Sequence, residues 1–254
     1  MAEVLENGDI YFLYRPRVGD ETVKSLDEVQ RLLIVLHPWR GRPRRRLLVV
    51  GRKRLPRVDE HERLWAFVDT VADRPEQLHE ALNERTYMTK TRGERRQPAA
   101  RPAAEGAYVI ARHDNHTHLA YRLRHPSSTG ASQRDLSIER EASYIVAVRN
   151  PHAPPPARMR AMVRMGAPRR SPELPPELWE RFGSRRFVPL DPPDFLDYAG
   201  VEIVIIGAGR DTSAELGLDL VSELERAART NVFDDLRISP DERPVEPLFA
   251  GEWR

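Results

Sequence analysis

The sequence predicts an α+β protein: a mostly antiparallel β-sheet with helices packed on one side, arranged in two related β-rich halves. Three observations carry that expectation. Runs of strand length rich in aliphatic and aromatic residues recur at Asp9–Arg15, Arg31–His37, Leu47–Leu55, Ala142–Arg149 and Val201–Ile206, and each is followed by proline, glycine or asparagine. Two other stretches space their apolar residues as helix faces do: Leu64, Phe67, Val68 and Val71, and then Leu216, Leu220, Val221 and Leu224. Finally, Gly106–Pro126 reads GAYVIARHDNHTHLAYRLRHP, two β-rich runs around Asp114-Asn115. Both turn residues tolerate positive φ, so a two-residue hairpin turn is expected there.

Taken in order, the chain opens with a turn at Asn7-Gly8 and a strand that Pro16 ends. Ser25 and Glu28 have capping-box spacing and mark a short helix or a turn. Trp39–Arg46, WRGRPRRR, is a basic loop joining two strands into a hairpin. Asp73 followed by Pro75 starts a helix with Leu78, Ala81 and Leu82 inward. Thr86–Arg92 is a β segment, and Gly93–Gly106 reads as a loop delivering the chain to the central hairpin.

Between Asn150 and Pro176 lie eight of the 22 prolines, which marks a linker or insert at 151–176. It separates a basic, β-rich region, 1–150, from an acidic α/β region with a tail, 177–254, which can still share one core. Glu177–Phe182 reads as a helical turn, Arg185–Val188 as a short strand, and Asp191–Asp194 as a capped helix start. Gly207-Ala208-Gly209 follows a strand as a dinucleotide-fold turn does, but Thr212 stands where the third glycine belongs, so it reads as a plain loop. Thr212 and Glu215 open a helix expected to reach Arg229. The final segment carries spaced anchors Phe233, Leu236, Phe249 and Trp253 that suit wrapping over the body.

The halves echo each other weakly. Gly8 and Gly106 each open a strand, and Gln30-Arg31 and Gln133-Arg134 follow.

The absence of cysteine excludes disulfides, thiolate ligands and a cysteine nucleophile, which fits a reducing compartment. The acidic start, MAEVLENGD, lacks the apolar core of a signal peptide, and no apolar run is long enough to span a bilayer as a helix. Cytoplasmic residence is therefore expected.

The net charge of +2 hides an asymmetry: residues 171–254 hold 18 acids and 9 arginines, leaving −9 there and +11 in the rest. Such a split suits an anionic partner for the front, or the docking of the acidic back on the basic front.

The candidate nucleic-acid-binding residues form two basic clusters: Arg42, Arg44, Arg45, Arg46, Arg52, Lys53 and Arg54, then Lys90, Arg92, Arg95 and Arg96. Guanidinium forks match phosphate geometry and displace counterions, and Trp39, Trp65 and Tyr87 are available for stacking. No helix-turn-helix, zinc-finger, KH or RRM signature accompanies them.

In the expected hairpin register, His113, His116 and His118 share one face, and three imidazoles plus water make an open metal site. A solvated, histidine-rich hairpin tip explains the same residues. No organic cofactor is implied, and a divalent metal enters only through these histidines. No nucleophile-elbow or P-loop motif occurs, and no spacing selects a catalytic triad.

The expected function is a non-enzymatic binding protein whose basic face meets RNA or DNA. One alternative is a metal-dependent hydrolase using the three histidines. Another is a scaffold that holds a protein partner through the basic, methionine-bearing segment 158–165 or the acidic tail.

Overall fold

A computed structural model describes residues 2–41, 44–91, 93–154, 171–226 and 231–253. The segment 158–165 and residues Arg42 and Arg92 lie outside the described residues.

Eight antiparallel strands close into a barrel in the cyclic order β1 (Glu3–Pro16), β2 (Val29–Pro38), β3 (Arg45–Val50), β4 (Arg63–Ala72), β11 (Glu202–Gly209), β9 (Glu141–Arg149), β8 (His116–His125) and β7 (Arg101–His113). Closure is made where β9 pairs with both β11 and β8. A three-residue strand, β10 (Phe187–Pro189), also pairs with β9, and β5 (Arg85–Thr89) with β6 (Gly93–Gln97) forms a separate two-stranded ribbon. No helix among the described residues is long and apolar enough to cross a membrane.

The barrel corrects the expected α+β sheet with helices on one side. Alternation along a strand records which residues are buried, but it does not say whether the last strand meets the first. The interior answers that here. Phe12, Tyr14, Tyr108, Tyr121 and Tyr144, all at most 1% exposed, fill it together with Ile10, Ile34, Leu48, Val68 and Ile205. An eight-stranded barrel is just wide enough to be packed solid by such side chains.

Five of the short helices are patches on the barrel's outside. Tyr11, Leu13, Leu33, Val35, Leu47, Val49 and Phe67 face outward and are covered by α1 (Pro75–Leu82), by α6 (Val232–Leu236) and by α7 (Glu246–Phe249), through Leu78, Leu82, Val232, Leu236 and Leu248. On the β7–β8 side, Val109 and Ala120 lie under Leu216 of α4 (Thr212–Leu216) and Leu220 of α5 (Leu220–Arg226). The remaining helices, α2 (Ala131–Leu136) and α3 (Pro176–Phe182), join the interior cluster instead, through Leu136 and through Leu178 and Phe182.

Strands buried on both faces read as near-continuous apolar runs, as Leu32–Leu36 does, and lose their period-two signature. That is why Leu64–Val71, expected as a helix, is strand β4. A bulge at the Leu47/Leu48 step of the β3–β4 ladder further disturbs its alternation. The expected loop 93–106 instead supplies β6 and the first half of β7, and the single helix expected from Thr212 is interrupted at Gly217, which has φ +67°. Its N-cap is Asp211, whose carboxylate accepts the Ala214 amide at 2.9 Å.

The central hairpin has the expected register: His113 opposite His116, Ala111 opposite His118, Ile110 opposite Leu119, Tyr108 opposite Tyr121. Asp114 takes the positive φ of the turn, +52°.

β11, from the acidic C-terminal region, lies between β4 and β9, so residues on both sides of 151–176 build one barrel. β1–β4 and β7-β8-β9-β11 are each a four-stranded meander, and their junction is symmetric in register: Gly8 pairs with Tyr108 and Ile10 with Gly106. Gly8 and Gly106 therefore occupy equivalent places. Each passes under a neighbouring strand so closely that a Cβ would stand 2.2 Å from the His37 carbonyl oxygen or 2.0 Å from that of Arg122. Gln30-Arg31 and Gln133-Arg134 do not follow this symmetry, since the first opens β2 and the second lies in α2.

Candidate nucleic-acid interface

The first basic cluster is distributed by strand alternation. β3 puts successive side chains on opposite faces. Arg46 points into the barrel's end and is only 3% exposed. Its Nη1 donates to both Glu6 oxygens at 2.7 and 2.9 Å, and its Nε donates to Asp197 at 2.7 Å. The Tyr108 hydroxyl donates to the same Glu6 carboxylate at 2.7 Å. Burial alone would lower the Arg46 pKa, but Glu6, Tyr108 and Asp197 together hold it above the usual arginine value.

Arg45 points outward, under α6, where its Nη2 donates to Asp235 at 2.6 Å. Asp235 also accepts from the Tyr11 hydroxyl at 3.0 Å and lies 2.6 Å from His37 Nδ1. Burial pushes the Asp235 carboxyl up. Hydrogen bonds and charge from His37 and Arg45 more than offset this, leaving it below the ordinary aspartate value. Arg44 reaches Asp73 at 3.1 Å and Asp197 at 3.8 Å. Arg54 forks onto Glu62, which is held below its usual pKa chiefly by that bond, and Lys53 donates to the carbonyls of Leu26 and Asp27. Arg52 is exposed.

Most of this cluster is thus committed to carboxylates. Several belong to the acidic C-terminal region: Asp197 serves Arg44 and Arg46, Asp235 serves Arg45, Asp191 serves Arg112, and Glu202 serves Arg149. Part of the charge asymmetry of the sequence is discharged inside the molecule. Of the aromatic residues singled out for stacking, Trp65 is buried beside Phe187, and Trp39 donates its indole N–H to Asp9 at 2.7 Å.

The second cluster sits differently. The β5–β6 ribbon exposes most of its residues, among them Arg85, Tyr87, Met88, Lys90 and Arg96. Arg96 is met by Glu84 at 2.6 Å. Among the described residues, Arg85, Lys90 and Arg95 have no carboxylate within 4.0 Å. Tyr87, at 43% exposure, is the available aromatic.

Between this ribbon and the outer wall of β1–β4 lies a cleft of 520 Å³ that the sequence reading did not anticipate. Its floor includes Leu33, Leu47, Val49 and Phe67, and its rim carries Arg15, Arg31, Asp69, Arg85 and Tyr87. Arg15 and Arg31 are direct cross-strand partners. Arg15 is 6% exposed and donates to the carbonyls of Asn83, Pro98 and Ala81 at 3.1, 2.7 and 2.9 Å. Burial, then the charges of Arg85, Arg243 and Arg31, bring its pKa down to about 10. The available signal was an arginine at the end of one apolar strand and another at the start of the next. Only the register makes them neighbours.

The three hairpin histidines share a face as expected. His113 and His118 have ring centroids 6.0 Å apart, and His116 is exposed. His118 is buried, with Nδ1 3.0 Å from the Ser143 hydroxyl and 3.8 Å from Glu215. Burial, then the neighbouring His113 and His116, lower its pKa to about 4, so it stays neutral near pH 7. Among the described residues no group of three histidine or carboxylate side chains is disposed to hold a metal ion.

The C-terminal segment packs on the body: Leu236 and Leu248 are fully buried, and Trp253 meets Tyr14 edge-on at 5.2 Å while donating its indole N–H to Asp135. Comparison with protein-family models, with curated proteins and with solved structures finds no match to this chain.

Proposed function

We propose that this is a non-enzymatic binding protein that takes single-stranded nucleic acid, RNA or DNA, on the β5–β6 ribbon. The observation that carries the reading is an exposed ribbon whose Arg85, Lys90 and Arg95 lack carboxylate partners among the described residues, beside the exposed ring of Tyr87. Cations track a phosphate backbone and an aromatic face stacks an unpaired base, which is the usual division of labour in single-strand recognition. The arginines at 44–46 support the barrel and the docked C-terminal region in this reading, and the ligand meets the second cluster.

The test is a mobility-shift titration with mixed-sequence single-stranded RNA and DNA at two salt concentrations. Binding should weaken with salt. Lys90→Ala with Arg95→Ala should reduce the slope of log affinity against log salt by about 1.4, two phosphate contacts' worth on a single strand. Absence of any shift at low salt refutes the reading, and so does a slope that the double variant leaves unchanged.

A further inference from the structure

We infer that the cleft between the β5–β6 ribbon and the barrel wall is a nucleotide site that seats one nucleoside phosphate unit, with its phosphate on Arg31 and Arg85 and its base over Phe67 beneath Tyr87. This deepens the proposed nucleic-acid reading and rests on it for the choice of a nucleotide as the anion.

The first argument is electrostatic frustration that an anion would relieve. Like charges directly opposite on neighbouring strands destabilise a sheet, yet Arg15 and Arg31 are paired this way and Arg85 joins them on the rim. The cleft's one acid, Asp69, leaves three guanidiniums against one carboxylate. Arg15 spends its donors on three carbonyls and is neutralised by none of them. Among the described residues Arg31 has no carboxylate within 4.0 Å. Arg44, Arg45, Arg46, Arg112 and Arg149 each meet a carboxylate, whereas the facing pair of Arg15 and Arg31 departs from the rule that opposite charges face each other across a sheet. Departures of this kind from local rules concentrate at functional sites.

The second argument is shape and chemistry. At 520 Å³ the cleft lies inside the range of small-ligand sites, about 300–1,000 Å³. Leu33, Leu47, Val49 and Phe67 line the cleft beside its guanidiniums, and such mixed lining suits an anion that carries an apolar body better than a bare inorganic anion. Gln97 donates to Gln30 at 2.8 Å at the same cleft, placing amide groups where a base edge needs partners. Guanidiniums, apolar lining residues and the exposed ring of Tyr87 together select an anion that carries a ring.

The experiment is calorimetric titration of the full chain with AMP, adenosine and inorganic phosphate in separate runs. AMP should bind, with adenosine and phosphate each at least about tenfold weaker. Arg31→Ala should weaken AMP binding by about tenfold or more, the scale of one lost charge-assisted contact. Asp69→Asn, which removes the one opposing charge, should tighten AMP binding several-fold, a gain that misfolding cannot imitate. Phosphate binding as tightly as AMP, or adenosine doing so, overturns the site, as does an unchanged affinity in both variants. If AMP fails to bind while oligonucleotides still shift through Lys90 and Arg95, the nucleotide site is wrong and the ribbon reading stands. If neither binds, both fall.

Discussion

Replacing Arg46 with methionine should unfold this protein more readily without removing a contact to nucleic acid. The side chain is 3% exposed and makes three charge-assisted hydrogen bonds, two to Glu6 and one to Asp197. Methionine fills a similar space and supplies no donor. Glu6 and Asp197 would keep their charges at the barrel's end, and the Tyr108 hydroxyl alone would be left to serve Glu6. Removing one partner of a buried pair strands the other, at a cost of about 3–5 kcal/mol. With a urea m-value of about 3 kcal/mol/M, the unfolding midpoint should drop by about 1 M or more. The assay is equilibrium urea denaturation followed by tryptophan fluorescence, with m compared so that a change in the denatured state is recognised. Glu6→Gln in the Arg46→Met background should restore part of the loss, because it neutralises one stranded carboxylate. A single-variant effect within about 0.5 kcal/mol of zero, the range of ordinary surface substitutions, would refute the reasoning. So would weaker oligonucleotide binding per mole of folded Arg46→Met protein, since that would make Arg46 a direct contact.

Gly106→Ala should lose more than about 3 kcal/mol in the same assay, because the added Cβ stands 2.0 Å from the Arg122 carbonyl oxygen and 2.8 Å from the Leu123 Cα, both backbone atoms of the barrel wall. A melt indistinguishable from wild type would refute a close β7–β8 crossing at Gly106. The pH dependence of stability should carry a His118 component. Its folded pKa of about 4 lies below the ordinary 6.5, so the unfolded chain takes up a proton that the folded chain refuses. Its contribution is therefore complete above pH 6.5 and is lost as pH falls toward 4, by an amount on the order of 1–3 kcal/mol. Urea titrations at pH 7 and pH 4.5 should show a smaller loss for His118→Gln than for wild type, and equal losses would contradict the assignment.

Several local features were readable from sequence because local rules fix them. The hairpin at 106–126 has one register that buries Tyr108, Ile110, Leu119 and Tyr121 together, and a slip of one residue would expose them all. The helix after Asp73, the strand at 141–149 and the strand at 202–209 were legible for similar reasons. Leu64–Val71 was misread because burial on both faces erases the strand period and leaves an accidental helical one.

The sequence by itself determined where most strands lie, which face of the central hairpin is apolar, and that a basic front is followed by an acidic C-terminal region. Tertiary structure alone decided that the strands close into a barrel, because closure depends on β9 finding both β8 and β11, pairings that no local pattern encodes. It also decided the fate of each arginine. Arg44, Arg45 and Arg46 are equivalent as letters, yet strand alternation and distant carboxylates at 197 and 235 bind them into the fold. Arg15 and Arg31, unremarkable in sequence, become a like-charged pair through a register set by the apolar residues between them. Charge is a property of the residue. Whether that charge is free to meet a ligand depends on what the rest of the chain brings within a few ångströms of it.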